Sequence, residues 1–415
     1  GGGKKLNLIL FYKEKLIGIA PFFIDNKHLF GIRILSRLRL IGSGVERNKS
    51  KESVSEYGVS DYLDLIVHRD YEKPVAETLA GYFRKNFSHC DIIQLDETCT
   101  NSIIFKFLLP LLNNFNYKYN ITRREICPRI TVPETMSEYF KQLNPKVRYK
   151  LKKALRDCTD ESLFTINKVE TEYELIKSFQ DFVKLHQKRW NRLGLSGLFS
   201  DDKYNQFLKD AAHVFLKKGI LNFTAVYSNN ECVAAECAFK YKNIYYDYLK
   251  AFDDQSPLAR YRPGKALLLS LIKDAAENNC KTVDLLRGCE TYKFEFAEEW
   301  HWVYKVTINN PAKGFSFRYF FFSFIMFFAQ IKRRAVNELN IMVSQIKNYG
   351  ISGFVTRYLP AALKKIKNKL FTSVHEHPDN NGHFKKIIPR AGKKFNLNKE
   401  NQPVSAVSNS LSKIL

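Results

Sequence analysis

The sequence has no Cys-x-x-Cys pair. Its 8 cysteines are scattered without regular spacing, so no disulfide framework is legible, and reduced thiols in a cytoplasm fit best. It also has no apolar run long enough to cross a bilayer. The longest uncharged stretch, between Arg318 and Lys332, is Phe-rich but only 13 residues long, where a spanning helix needs roughly 17–25. Gly1-Gly-Gly3 is followed by no apolar core of a signal peptide, and the chain runs almost directly into a strand, as a piece lacking an opening helix would. His375, His377 and His383 have a loose metal-like spacing but lack a fourth ligand, so no metal is expected. Acidic residues are scarce, 42 against 66 Lys and Arg, for a net charge of +24. Such a balance favours anionic partners: phosphorylated cofactors, acidic lipid surfaces or nucleic acid. The excess is uneven. From Lys332 onward there are 16 basic and 4 acidic residues, so half of it sits in the tail.

What is present reads as mixed α/β layers. Residues 6–23 pattern as a hairpin, 34–41 and 62–67 as strands, 72–87 as a helix, 91–95 as a strand and 102–114 as a helix. Residues 42–57 read as a mobile loop. Asn144-Pro145 opens a basic helix with Val147, Leu151 and Leu155 as its apolar seam. It reads as a solvated linker, with a nucleic-acid arm as the sharper alternative. Helices over 175–190 and 202–218, a hairpin over 223–239 with a turn at Ser228-Asn-Asn230, and strands over 244–252 and 304–308 follow. The two hairpins suggest an internal duplication. Residues 315–331 and 360–370 suit amphipathic helices that either lie at a membrane surface or pack on the body. From about His375 the composition is that of a disordered tail.

The most organised stretch is Tyr261–Lys293. Pro263 suits a first helical position, Gly264 admits a close backbone approach, and Leu268, Leu271, Ile272 and Ala275 recur at helical spacing. Thr282 to Leu286 is short and β-compatible, and Arg287-Gly288 breaks it. Strand, Arg-rich loop, helix, strand is a natural seat for a pyrophosphate, unless the helix is an ordinary core helix with a Pro–Gly start. Tyr261-x-Pro263-Gly264-Lys265 with Asp284-x-x-Arg287-Gly288-x-Glu290-x-Tyr292-Lys293 resembles the signature of the CelD-type branch of the GNAT acetyltransferase superfamily, which is related to the Fem peptidyltransferases. Leu16 to Pro21, Ser60 to Val67, the helix near Arg148, Leu185-His186 and Arg189-Trp190 agree in order, over roughly residues 6–308. The position three before Gly264 is Tyr261 rather than the usual Gln or Arg, while Gly264 and Ala266 keep the pattern.

The resemblance implies two tandem GNAT-like domains, residues 1–132 and 161–312, around a basic linker helix at 133–160. A helical, basic extension over 313–374 and a disordered tail over 375–415 complete the chain. It implies acyl transfer, acetyl in the first instance, from acyl-coenzyme A to an amine or hydroxyl of a cell-envelope or polysaccharide-related acceptor. The donor would lie on Arg260, Tyr261, Arg262, Gly264, Lys265 and Ala266. The enzyme would be cytoplasmic, or peripheral at the inner face of the membrane through residues 313–370. A Fem-like transferase using aminoacyl-tRNA is one alternative, and the only reading in which nucleic acid is a partner. A non-catalytic membrane scaffold on a degenerate fold is the other. Acyl transfer from a thioester needs a base, an oxyanion stabiliser and an acid for the thiolate. Glu236, inside an apolar strand, is the base expected if buried; the alternative is an edge-strand Glu facing water. Asp247 is expected at the same cleft, and Glu290 and Tyr292 lie in the signature turn, Tyr292 as acid or as a packing residue. His186 and Trp190, four apart on one helix face, are acceptor candidates, with a core histidine as the plainer reading. Asp284 pairs with Arg287 or Lys293 to hold the turn, or Arg287 and Lys293 grip an anion. Cys289 is expected to be an inert thiol.

Overall fold

In two places the chain lays down the same sequence of elements, and the repeats meet in one sheet. The computed structural model describes residues 4–29, 31–43, 60–87 and 90–311, together with Phe324 and Val343. Residues 1–341 form one compact unit; of the second, 342–415, only Val343 is described. The expected mobile loop, the C-terminal amphipathic helices and the tail with its three histidines therefore lie almost wholly outside the described residues.

The first repeat opens with strands β1 (Lys4–Tyr12) and β2 (Lys15–Leu29). Strand β3 (Ile32–Leu40), a two-residue strand β4 (Ile66–Val67), helix α1 (Glu72–Asn86) and strand β5 (Ile92–Thr98) follow. A π-helical turn, Ile104–Leu108, then leads into helix α2 (Leu109–Asn114) and strand β6 (Tyr119–Thr131). Pro110 explains that turn: it has no N–H for the fourth residue back and its ring crowds that carbonyl, so the preceding turn widens. Helices α3 (Met136–Gln142) and α4 (Pro145–Cys158) lead to the second repeat. That repeat adds strand β7 (Thr165–Lys168), helices α5 (Glu172–Arg192) and α6 (Asp202–Lys217), and strands β8 (Leu221–Ser228), β9 (Glu231–Tyr241) and β10 (Ile244–Phe252). Helix α7 (Pro263–Glu277), strand β11 (Thr282–Asp284), the short helix α8 (Lys293–Phe296) and strand β12 (Glu299–Asn309) complete it.

The strand order is β1-β2-β3-β5-β12-β6-β11-β10-β9-β8-β7, with β4 beside β2. The order is symmetric about the antiparallel β12–β6 pair. On each side a hairpin, a third antiparallel strand and a parallel strand follow in the same order, and each repeat's last strand sits in the other's half. The hairpins match in detail. Both turn through two left-handed residues, Lys13 and Glu14 (φ 45° and 64°) and Asn229 and Asn230 (φ 49° and 65°). Both carry a bulge at the same register, between Leu10 and Phe11 and between Val226 and Tyr227. The hairpins at 6–23 and 223–239 are thus equivalent elements, in a mixed α/β fold built on one large mixed sheet.

Each repeat buries one sheet face under its crossover helix. Leu6, Leu8, Leu10, Ala20 and Phe22 pack with Val75, Leu79 and Phe83 of α1, and Ala238, Tyr245 and Val283 with Leu268, Leu271 and Ile272 of α7. The opposite face of β8–β10 is covered by α5 and α6 through Phe179, Phe182, Leu208, Phe223 and Cys237. Burying each such Leu or Phe side chain stabilises the fold by about 1.5–3 kcal/mol.

Two readings are corrected. Helix α4 is not a solvated linker: Leu151, Ala154 and Cys158 are buried, and Leu151 packs in one cluster with Leu268 and Ile272 of α7. Residues 62–67 are not one strand. Tyr62 has a left-handed backbone (φ 56°), and Asp64 turns away to accept the N–H groups of Ile103 and Ile104 at 2.8 and 3.3 Å.

Candidate functional site

The Arg-rich loop expected to receive a phosphate group closes the 3-10 turn Pro257–Tyr261 and hands over to α7 at Arg262. Arg262 is left-handed (φ 60°) and no side chain caps the helix behind it. Pro263 has no N–H, and the Lys265 and Ala266 N–H groups bond the Arg262 carbonyl at 2.9 and 3.3 Å, so what the helix start offers an anion is its dipole. A groove of about 550 Å³ opens here, lined by Arg260, Tyr261 and Arg262 from the loop and by Lys146, Tyr149, Lys150, Lys153, Ala154 and Asp157 from α4. Five of these residues are cations, and the one carboxylate, Asp157, is paired with Lys153 at 2.7 Å. Packing α4 on α7 is what brings the two basic segments together. Of the other expected donor residues, Gly264 lies one residue inside the helix. A methyl group there would only touch the Phe252 ring at 3.6 Å, so the chain's own packing does not demand glycine. Lys265 points elsewhere, ion-paired with Glu295 of α8, and Ala266 is buried and lines a second groove on the far side of α4.

Beside this loop the sheet opens. Strands β10 and β11 pair in parallel only from Ile244–Thr282 to Tyr246–Asp284, and β10 continues alone on that edge to Phe252. A bulge between Asp247 and Leu249 turns Asp247 onto the same side as Lys250, three residues later, where an unbroken strand would place them on opposite faces. Lys250 lies directly across from Glu236 of β9. Its Nζ is 2.9 Å from Glu236 Oε1 and is also ion-paired with Asp247. The Tyr292 ring lies beneath the ammonium, 5.8 Å from centroid to Nζ. Glu236 is 1% exposed and Asp247 5%. Burial, with Asp247 adding to it and Lys250 opposing, pushes Glu236 up to about 7. Despite its burial, the two carboxylates hold the Lys250 ammonium well above its ordinary range. Burial likewise raises the Tyr292 phenol. The expected base, Asp247 and Tyr292 are thus brought together. Glu290 is not among them: its carboxylate is more than half exposed and reaches Lys293 at 3.2 Å.

The signature strand end is held from the other repeat. Asp284, fully buried, accepts the Tyr62 phenol on both oxygens (2.8 and 2.9 Å), Arg129 Nε at 2.8 Å and the Leu286 N–H at 2.9 Å. Its partners are therefore Tyr62 and Arg129, not the expected Arg287 or Lys293. Arg287 is ion-paired with Asp61 and lies 3.4 Å from Glu97. Lys293 Nζ donates to the carbonyls of Arg287 and Leu286 at 2.7 and 3.5 Å. Both cations hold the turn, and neither is free to grip an anion. Three residues of this junction, Tyr62, Glu97 and Leu286, have left-handed backbones (φ 54–56°). Such strain persists where surrounding contacts over-determine the conformation, and it clusters at functional sites. His301 stacks on Tyr62 at 5.3 Å, and burial beside Arg129 pushes it down to about 4.

His186 is the core histidine of the plainer reading. It is 4% exposed, lies 4.9 Å from the Phe199 ring and 5.8 Å from Trp190, and contacts Gln187 Oε1 at 3.2 Å. Burial pushes it down to about 4, which fits a core histidine, while Trp190 beside it is half-buried. Lys250, Tyr62, Arg129 and His301 were not legible as site residues. A lysine between Leu249 and Ala251 of an apolar strand was the one available signal, and only the bulge shows its partner. Among the described residues, no group of His, Cys, Asp and Glu could hold a metal ion, and no helix is long and apolar enough to cross a membrane. None of the eight cysteines is in a disulfide, and Cys289 is exposed.

Residues 145–294, from the start of α4 to α8, match the family model described as an acetyltransferase (GNAT) domain. The chain carries a GNAT acyltransferase domain over that span. No curated protein matches the sequence. Among solved structures the chain is similar to FemX, with 11% identity over 75% of this chain and 90% of that one and a TM-score of 0.48. It is also similar to L-PGS from Bacillus licheniformis, with 12% identity over 72% and 83% and a TM-score of 0.43. A tandem GNAT protein from the clavulanic acid biosynthesis pathway gives 7% identity over 72% and 82%, with a TM-score of 0.36. These likenesses are loose.

Proposed function

We propose that the chain transfers an acyl group, acetyl in the first instance, from acyl-coenzyme A to an amine or hydroxyl acceptor. The observation that carries this reading is the basic groove where α4 meets the Arg260–Arg262 loop, beside the splayed edge that holds Glu236, Asp247, Lys250 and Tyr292. Lys146, Lys150, Arg260 and Arg262 offer charge-assisted contacts to the donor's phosphates, and the N-terminus of α7 adds its dipole. The thioester end would then enter the opening between β10 and β11. Glu236 would take the acceptor's proton, and Tyr292 would face the leaving thiolate. A cell-envelope or polysaccharide-related acceptor belongs to the family resemblance rather than to any contact described above.

The same groove also favours a second donor, aminoacyl-tRNA, because Lys146, Lys150 and Lys153 continue the basic track along α4. Native mass spectrometry of the full chain with acetyl-coenzyme A, and in parallel with aminoacyl-tRNA, separates the two. A one-to-one coenzyme A complex, lost in Gly264→Glu, supports the first reading. Binding of tRNA alone, falling steeply with salt, supports the second, and binding of neither leaves a non-catalytic scaffold.

A further inference from the structure

We propose that Lys250 is a positioning residue that makes Glu236 and Asp247 a single store for one proton. The proposal deepens the acyltransferase reading and rests on it. Its basis is charge counting in a closed space. Lys250 faces Glu236 across the β9–β10 ladder, and the bulge places Asp247 beside the same ammonium. Two carboxylates share one cation, so the buried trio carries one uncompensated negative charge, a costly state away from water. One added proton leaves a neutral Glu236 beside a closed Lys250–Asp247 pair.

The neighbouring groups do not supply a second cation. Cys237 lies next to Glu236 on β9. Asp274 of α7 is occupied by Lys168 at 2.5 Å and by Asn222 at 3.0 Å. Tyr292 is a phenol, and Glu290 is paired with Lys293. Asp247 Oδ1 is buried without an aligned hydrogen bond, while Glu236 Oε1 is held by the Lys250 ammonium at 2.9 Å. One ammonium thus serves two buried carboxylates and leaves carboxylate oxygen for one proton.

The step balances. As the acceptor's N–C or O–C bond forms and the thioester C–S bond breaks, the acceptor's proton passes to the store. The departing thiolate then takes that proton, giving the free thiol of coenzyme A and returning the trio to one net negative charge.

The test reads Glu236 without turnover, by NMR titration of the full chain carrying carboxyl-labelled glutamate. The expected wild-type midpoint is about 7. Lys250→Met should raise it by about 1–3 pH units, Lys250→Arg should restore most of the change, and Asp247→Asn should lower the midpoint. A midpoint at the ordinary carboxylate position, or one unmoved in a folded Lys250→Met or Asp247→Asn, overturns the proposal. Thermal unfolding identifies variants that fail to fold, in which case Asp247→Asn and Lys250→Arg decide. If no acyl donor binds while these shifts appear, the transferase reading has failed and the proton store has not.

Discussion

Tyr62 donates its phenol to both oxygens of Asp284, at 2.8 and 2.9 Å, across 222 positions of sequence. This contact ties a strained loop of the first repeat to the strand end from which the signature turn departs. Together with Arg129 it leaves the buried carboxylate fully engaged.

Tyr62→Phe should therefore destabilise the fold by about 1.5–3 kcal/mol, the worth of hydrogen bonds to a charged group. Asp284→Ala should cost more, because it strips partners from Tyr62, from the Leu286 N–H and from Arg129. The Arg129 share is discounted, since its side chain is 34% exposed and solvent screens it. Chemical denaturation of both variants checks this ranking. Equal stability of wild type and Asp284→Ala would remove the junction as a structural tie.

Glu236→Gln keeps the side chain's shape and removes its basicity. Turnover should fall by about 10²- to 10⁴-fold with donor affinity little changed, since Glu236 does not line the basic groove. Steady-state kinetics with donor titration measure both, and an unaffected rate excludes Glu236 as base.

Much of this was legible beforehand, for local reasons. The hairpin turns announced themselves through short polar runs, Lys13-Glu-Lys15 and Ser228-Asn-Asn230, between β-compatible runs, and α7 through Pro263 and its apolar spacing. Strand β6 was missed because Arg123, Arg124 and Glu125 in its exposed middle break the apolar alternation, and only pairing with β11 and β12 makes it a strand. The Glu236–Lys250–Asp247 grouping depends on a bulge, which no periodicity reveals. His186 was a candidate through its place on one helix face with Trp190 and through the resemblance, with a core histidine as the plainer reading, and its burial among aromatic rings favours the latter.

The raised Glu236 carboxyl also sets a sign for pH. A carboxylate whose folded value lies above its unfolded one favours the folded state at low pH. That contribution is present below about 4.5 and lost as pH rises through about 7. His186 and His301, both pushed down to about 4, act in the other direction: their contribution is present above about 6.5 and lost as pH falls. The difference in thermal midpoint between wild type and Glu236→Gln isolates the first effect. Wild type should lose ground to the variant between about pH 4.5 and 7, while its transfer rate rises over the upper part of that window. A difference independent of pH would contradict the assignment.

Gly288 should tolerate a side chain poorly. Its φ is +129°, a backbone conformation L side chains rarely adopt, whereas the exposed Glu290 carboxylate nearest it can move aside. Gly288→Ala should destabilise by about 1–3 kcal/mol and lower turnover by displacing the turn that carries Tyr292. Paired unfolding and kinetic measurements check it, and a wild-type profile in both would show that the turn has room to relax.

The seat of the donor's phosphates in the groove between α4 and the Arg260–Arg262 loop is tested most directly by calorimetric titration with coenzyme A. Wild type should bind one equivalent with an affinity that falls as salt rises. Lys150→Glu, which reverses one charge in the groove and touches none of the buried trio, should weaken binding at least about tenfold, or about 1.4 kcal/mol. Saturable binding that Lys150→Glu leaves unchanged, or no binding by the wild-type chain, would contradict the assignment.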